Sequence, residues 1–249
     1  MKKLCLFLWC LIFLQAAFAS DNTVSESDND KVIGNNGKQN IERAEASPNF
    51  PGSLRIGLGL SFLRNAPEDM NMGWWKSRSV DIFYIGDMPL GNSRFTFNPG
   101  IGLGIERFGF VRHITLNSTS EGTVITDIGE LNPSKSLLNS NYVDIPLELK
   151  YHFGANEFTG FNVAIGGRVG YLIDAKTKVN YEDRGELVKL KTKETYNLNR
   201  LRYGVTARIG LGRFNLYYYQ NLSPLFKNNS GIADNDIYHY KFGLSFAAF

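Results

Sequence analysis

From residue 53 to 249 the chain is made of short segments in which apolar residues alternate, one by one, with polar or small ones. The segment 95–105 shows it most clearly. Phe95, Phe97, Pro99, Ile101, Leu103 and Ile105 alternate with Thr96, Asn98, Gly100, Gly102 and Gly104. Successive side chains on a strand point to opposite faces, so each such segment has one greasy face and one that is not. The pattern predicts eight strands, over 54–62, 77–85, 95–106, 142–153, 161–171, 201–211, 214–222 and 238–249. In the first, Leu54, Ile56, Leu58, Leu60 and Phe62 oppose Arg55, Gly57, Gly59 and Ser61. The links after the second, fourth and sixth strands are short (87–92, 154–160 and 212–213). The others are longer, 107–141 and 172–200 most of all, and are read as loops.

An even number of alternating strands with short turns at one end and long loops at the other is the outer-membrane pattern. The expectation is all-β: an eight-stranded antiparallel transmembrane β-barrel with short periplasmic turns, long extracellular loops and both termini in the periplasm. A soluble lipocalin-like barrel would turn its greasy face inward. Here the minor face carries Gly, Arg, Asp and Glu, which suits a narrow polar lumen.

The start of the chain is different. Lys2 and Lys3, an apolar stretch too short for a comfortable span, and Ala17-Phe18-Ala19 predict a signal peptide over 1–19, cleaved before Ser20. Residues 20–52 are rich in Asn, Asp, Ser, Glu and Gly and predict a disordered periplasmic lead-in, with the barrel over 53–249. Cys5 and Cys10 both fall in the leader, so the mature chain has no disulfide and no thiol nucleophile. Of 27 basic residues two lie in the leader, which leaves 25 against 24 acidic ones. That near-neutral balance gives no bulk attraction for nucleic acid. The expected partners are outer-membrane lipid and membrane or periplasmic proteins. The chain has 18 Phe, 12 Tyr and 3 Trp, which suits interfacial girdles, and Trp74-Trp75 reads as part of such a belt.

By parity the inward face carries Arg55, Asp81, Glu106, Asp144, Glu148, Lys150, Arg168, Arg202, Arg208 and Lys241, with His152. An eight-stranded barrel is too thin for an open channel, and its side chains fill it. Buried charges have to pair, so these residues predict an interior ion network of structural rather than catalytic kind. Counting from the 154–160 turn sets Asp144 and Arg168 at similar heights as an ion pair. The sharper alternative is a narrow conduction path or a proton-sensitive gate.

No catalytic constellation, metal site or cofactor is expected. The histidines His113, His152 and His239 fall at different heights, and no two lie at ligand spacing. For a rim enzyme, His239 with loop serines is the only candidate. Gly100, Gly102 and Gly104 continue a strand rather than opening a phosphate loop, and inward glycines leave room for bulky neighbours. Pro146 removes a ladder hydrogen bond and marks a bulge or an irregular edge. Asn117-Ser118-Thr119 and Asn228-Asn229-Ser230 read as plain loop polarity. Phe249 is out of phase with Phe242, Leu244 and Phe246, an imperfect terminal signal.

The segment from Asn141-Tyr142-Val143-Asp144-Ile145-Pro146-Leu147 to Glu148-Leu149-Lys150-Tyr151-His152-Phe153 resembles the core strand of the PorT-like outer-membrane β-barrel family of Bacteroidetes. The glycine strand at 95–105 and the stretch from Tyr217 to Phe226 resemble it as well. The resemblance covers the barrel and not the lead-in. It implies a non-enzymatic barrel with a structural or accessory role, of the kind a type IX protein secretion system uses, acting through its loops or lead-in. A rim enzyme acting on lipid or peptide, or a narrow pore, are the alternatives.

Overall fold

The computed structural model describes residues 52–153, 160–228, 230–232 and 236–248. The leader, the lead-in up to residue 51, nearly all of the 154–160 turn, Asn229 of the second sequon and the terminal Phe249 lie outside the described residues. The strands are β1 (Gly52–Arg64), β2 (Arg78–Gly86), β3 (Met88–Pro89), β4 (Phe95–Gly109), β5 (Ile114–Ser118) and β6 (Thr123–Asp127). They continue with β7 (Lys135–His152), β8 (Phe161–Asp183), β9 (Glu186–Lys193), β10 (Leu201–Leu211), β11 (Phe214–Asn221) and β12 (Tyr238–Ala247).

Eight of them close into an antiparallel barrel in the order β1, β2, β4, β7, β8, β10, β11, β12 and back to β1. They are the eight the alternation predicts. The outer face carries the large exposed apolar side chains, among them Leu58, Ile82, Ile101, Leu103, Ile145, Ile165, Val205, Leu216 and Leu244. On β7 the apolar outward run from Tyr151 to Val143 is nine residues long, the length a tilted strand needs to cross a bilayer. Among the described residues no helix is long and apolar enough to do so.

The two longest links are not simple loops. β4, β7 and β8 run on beyond the apolar belt, and β9 folds back on β8 from Lys176↔Lys193 to Asp183↔Glu186. The turn between them, Arg184-Gly185, has both residues at positive φ (52° and 85°), the twist a tight hairpin wants. β5 and β6 form a separate hairpin within 107–141.

The extension escaped the sequence reading because of one residue. The β7–β8 register passes from Tyr142↔Leu172 to Asn141↔Asp174 and leaves Ile173 as a bulge. Below it, Val169, Tyr171 and Ile173 face outward; above it, Ala175, Thr177 and Val179 are buried while Lys176, Lys178 and Asn180 are not. An extra residue exchanges the two faces of a strand. The outward side chains are polar or charged from there on (Asp174, Lys176, Lys178 and Asn180), so no apolar alternation marks the strand.

Of the two expectations for Pro146, the bulge is absent, since the register holds through it, and the irregularity is a gap in the pairing. Pro99↔Leu147 and Gly102↔Asp144 flank an unpaired stretch of the β4–β7 ladder, where proline offers no N–H.

At the long-loop end the connections pack into an apolar head. Met70, Phe108, Phe110, Ile114, Leu116, Leu138, Tyr196, Leu198, Leu225, Phe226 and Ile237 are buried together. Bridges Met72↔Phe110 and Leu198↔Phe226 tie the segments, and Asn199 Nδ2 donates to the carbonyls of Pro224 and Phe226. This core sits over the barrel mouth.

Candidate functional site

The lumen is filled by two ionic layers. The middle layer holds three acids and three bases. Lys241 Nζ on β12 donates to Asp81 Oδ1 at 2.8 Å and Glu106 Oε1 at 2.7 Å. Arg202 on β10 grips Asp144 through Nε at 3.0 Å and Nη2 at 2.6 Å, and its Nη1 reaches Glu106 at 3.3 Å. Arg168 on β8 donates to Asp81 at 3.3 and 3.5 Å, and stands 3.7 Å from Asp144 Oδ2. All six side chains are at most 4% exposed. Full burial of a charge costs several kcal/mol, so this set is tolerable because its charges sum to zero and its oxygens are multiply bonded.

Three aromatic rings line the same layer. Arg168 lies 4.6 Å over Phe83 and 4.5 Å over Tyr219, and Arg202 lies 3.7 Å over Tyr142. Desolvated arginines over ring faces gain about 2 kcal/mol each. Ser61 Oγ donates to Glu106 at 3.1 Å.

Nearer the short-turn end is a second layer. Glu148 binds Arg55 at 3.0 Å and also pairs with Arg208. Below them Lys150 reaches Asp87 at 3.2 Å, with Asn98 Nδ2 on the same carboxylate. The cavity between the layers, lined by Arg55, Asp81, Glu148, Arg168, Arg208 and Tyr217, measures about 10 Å³. That is room for one water at most.

Glycine makes the layers possible. A Cβ on Gly104 or Gly170 would collide with the Asp144 carboxylate and the Arg202 guanidinium. Those two positions are where strand backbone must approach side chains of the plug.

The structure thus brings Asp81, Glu106, Asp144, Arg168, Arg202 and Lys241 into one group, and Arg55, Glu148 and Arg208 into another. Lys150 stands apart at the rim. His152 is buried near the same end. Asp144 and Arg168 do meet, but Arg202 is the nearer partner of Asp144.

Sequence reasoning missed Tyr142, Tyr217 and Tyr219, each buried in the lumen. Their signal was present: Phe214, Leu216 and Tyr218 face outward, so Tyr217 and Tyr219 face inward by the same parity. Counting only charged residues passed over them. Asp87 lies in a link, where parity says nothing.

His239 is not on the rim. It is 1% exposed inside the barrel, edge-on to Phe108 at 5.2 Å and 3.7 Å from Glu106. No loop serine hydroxyl bonds to it among the described hydrogen bonds. Nor does any group of three or more His, Cys, Asp or Glu among the described residues offer a metal cage.

A closed barrel with a greasy exterior, a paired ionic interior and an apolar belt of spanning length is an integral membrane barrel. The family model for the outer membrane protein beta-barrel domain matches residues 44–227, and the chain belongs to that family. Its place is the outer membrane. Among solved structures it is similar to Ail, the attachment invasion locus protein of Yersinia pestis. The identity is 11%, the TM-score 0.36, and the match covers 79% of this chain and 95% of that one. Ail in complex with the heparin analogue sucrose octasulfate aligns at 12% identity and a TM-score of 0.32, covering 79% and 97%. A mutant porin of Rhodopseudomonas blastica aligns at 9% identity and a TM-score of 0.21, covering 79% and 99%. No curated protein matches the chain.

Proposed function

We propose that this barrel is a non-enzymatic, non-conducting anchor that holds a folded loop head at the cell surface, and that it serves as an accessory part of protein export of the type IX kind. The observation that supports the anchor reading is the double closure of the lumen. A neutral ionic plug fills the middle, and an apolar core packs over the long-loop mouth. A pore needs a continuous water path, and an enzyme needs a nucleophile and base within reach of an open cleft. The export role, and a source in Bacteroidetes, rest on the PorT-like character of the 141–153 segment. In this reading the leader 1–19 is removed on the way out, the lead-in 20–52 works in the periplasm with both termini, and the long-loop head faces outside.

The test is deletion of the gene, followed by profiles of secreted proteins and of lipid A. The export reading expects cargo to be retained in the cell while lipid A is unchanged. Altered lipid A with normal secretion would replace it with the rim-enzyme reading. Stepwise ion currents from the purified barrel in planar bilayers would overturn the closed-lumen part.

A further inference from the structure

Beyond the apolar belt, the outer face of the β4–β7–β8–β9 extension turns abruptly cationic. Strand register sets the residues side by side. Lys176 pairs with Lys193 and Lys178 with Lys191, while Lys135 and Lys189 both pair with Asn180. Arg107 follows on β4, one outward position above Ile105. Like charges directly opposite on a sheet are unfavourable, so this ladder carries a standing repulsion that an anion would relieve. Partial loss of solvent, with repulsion from Lys135, Lys191, Arg107 and Lys189, holds the Lys178 ammonium below its usual range.

The acidic groups nearby leave the ladder largely unneutralised. Asp174 takes Lys176 at 3.4 Å and Lys193 at 2.9 Å. Glu182 lies farther along β8, toward the turn. Among the described residues Lys135, Lys178, Lys189 and Lys191 have no ion-pair partner.

A second feature lies at the foot of the ladder, where the belt ends. An open cleft of about 350 Å³ has Tyr171 and Ile173, both half exposed, on its apolar side, and Lys193 and Arg200 on its polar side with the carboxylates of Asp174, already paired with Lys193, and Glu194. A ligand suited to it has an acyl body and an anionic head.

The geometry points to a binding face for the phosphorylated headgroups of outer-leaflet glycolipid, with acyl chains along Tyr171 and Ile173 and phosphates on Lys193, Arg200 and the lysine ladder above. Position decides between this occupant and a soluble polyanion, because the ladder lies directly above the lipid-facing belt: Arg107 is the next outward residue above Ile105 on β4, and on β8 Lys176 follows Ile173 and Asp174. The inference rests on the proposal that the long-loop end faces outside.

The experiment uses the full mature barrel in phosphatidylcholine nanodiscs carrying diphosphoryl lipid A or its dephosphorylated form. The variant is Lys178→Gln with Lys189→Gln and Lys191→Gln, one half-buried and two exposed positions, all outside both ionic layers. Heat-modifiable gel mobility identical to that of the parent shows that it folds. Bound lipid per barrel, counted by native mass spectrometry, is expected to favour the diphosphoryl form and to fall roughly tenfold in the variant. Equal retention of both lipid forms, or equal retention by parent and variant, overturns the inference. So does capture of soluble sulfated polysaccharide by the detergent-solubilised parent with no preference for lipid A. An epitope inserted at Arg184-Gly185 and probed on intact cells reports orientation separately. A surface-exposed epitope with unaltered lipid binding sinks this inference and leaves the anchor reading standing, whereas a hidden epitope sinks both.

Discussion

Asp144 has two arginines within reach and divides itself unequally between them. Arg202 takes both of its oxygens, at 3.0 and 2.6 Å, while Arg168 stands 3.7 Å away and directs both of its terminal nitrogens to Asp81. A bidentate guanidinium–carboxylate contact is the stronger kind. We expect a double-mutant cycle of Asp144→Asn with Arg202→Met, read by urea unfolding in lipid vesicles, to give a coupling of about 1–3 kcal/mol. Each single change strands a buried charge and costs about 3–5 kcal/mol. The cycle of Asp144→Asn with Arg168→Met should give a smaller coupling. Equal couplings would mean that the middle layer is one delocalised cluster, contrary to the pairwise geometry. Glycine offers a test of the same layer that changes no charge. Gly170→Ala pushes a methyl into Asp144 and Arg202 and should cost about 1–3 kcal/mol. At Gly167, on the outward face, the nearest atom to an added Cβ is 3.7 Å away, so Gly167→Ala should leave the unfolding midpoint where it is or raise it. A matching loss at both positions would show that a methyl is unfavourable anywhere on this strand, and that contact with the plug does not set the requirement for glycine.

At the scale of the element, β8 is the informative strand. Its lower half is wall, paired from Tyr171↔Leu201 to Phe161↔Leu211 with β10. Its upper half leaves β10 and takes β9 as partner. Ile173 sits at the change and reverses which face each later residue shows. Deleting Ile173 should turn Lys176 and Lys178 toward the buried side and Ala175, Thr177 and Val179 toward solvent. The expected result is rapid hydrogen exchange and new protease cuts across 174–193, with the barrel still heat-modifiable on gels. Unchanged protection there would show that the bulge does not set the phase. The same residue explains how far the sequence could be read. Up to Tyr171 the lipid enforces a strict period of two, so strand positions and the inward charges were legible from parity alone. Past the bulge the membrane no longer demands apolar residues outside, and the lysine ladder carries no hydrophobic signal. Partner choice inside the lumen was less legible than membership. Parity says that Asp144, Arg168 and Arg202 face inward, but side-chain reach across the barrel decides that Arg202 on β10 meets Asp144 on β7. The apolar head was not legible either, because its residues come from four separate connections with no shared period.

The whole molecule carries two populations of charge that differ in access to water. The inner population is paired, neutral in its main layer and sealed, with Asp81, Glu106, Asp144, Arg168, Arg202 and Lys241 at most 4% exposed. The outer population, the ladder from Lys135 to Lys193, is predominantly cationic, with Asp174 as its main counter-charge, and is partly to fully open to solvent. Mobile ions screen only what water reaches, over about 10 Å at 0.1 M salt and about 3 Å at 1 M. Raising sodium chloride between those limits should therefore act on one population and not on the other. The urea midpoint of the barrel in phosphatidylcholine vesicles should stay constant, because no salt enters the plug. Retention of diphosphoryl lipid A by the same protein should fall steeply over the same range, as the ladder loses its field. Following both in one titration makes each a control for the other. A midpoint that drifts in step with lipid retention would mean that ions reach the interior. The lumen would then be a wetted path rather than a plug, and the closed-anchor reading would fail with it.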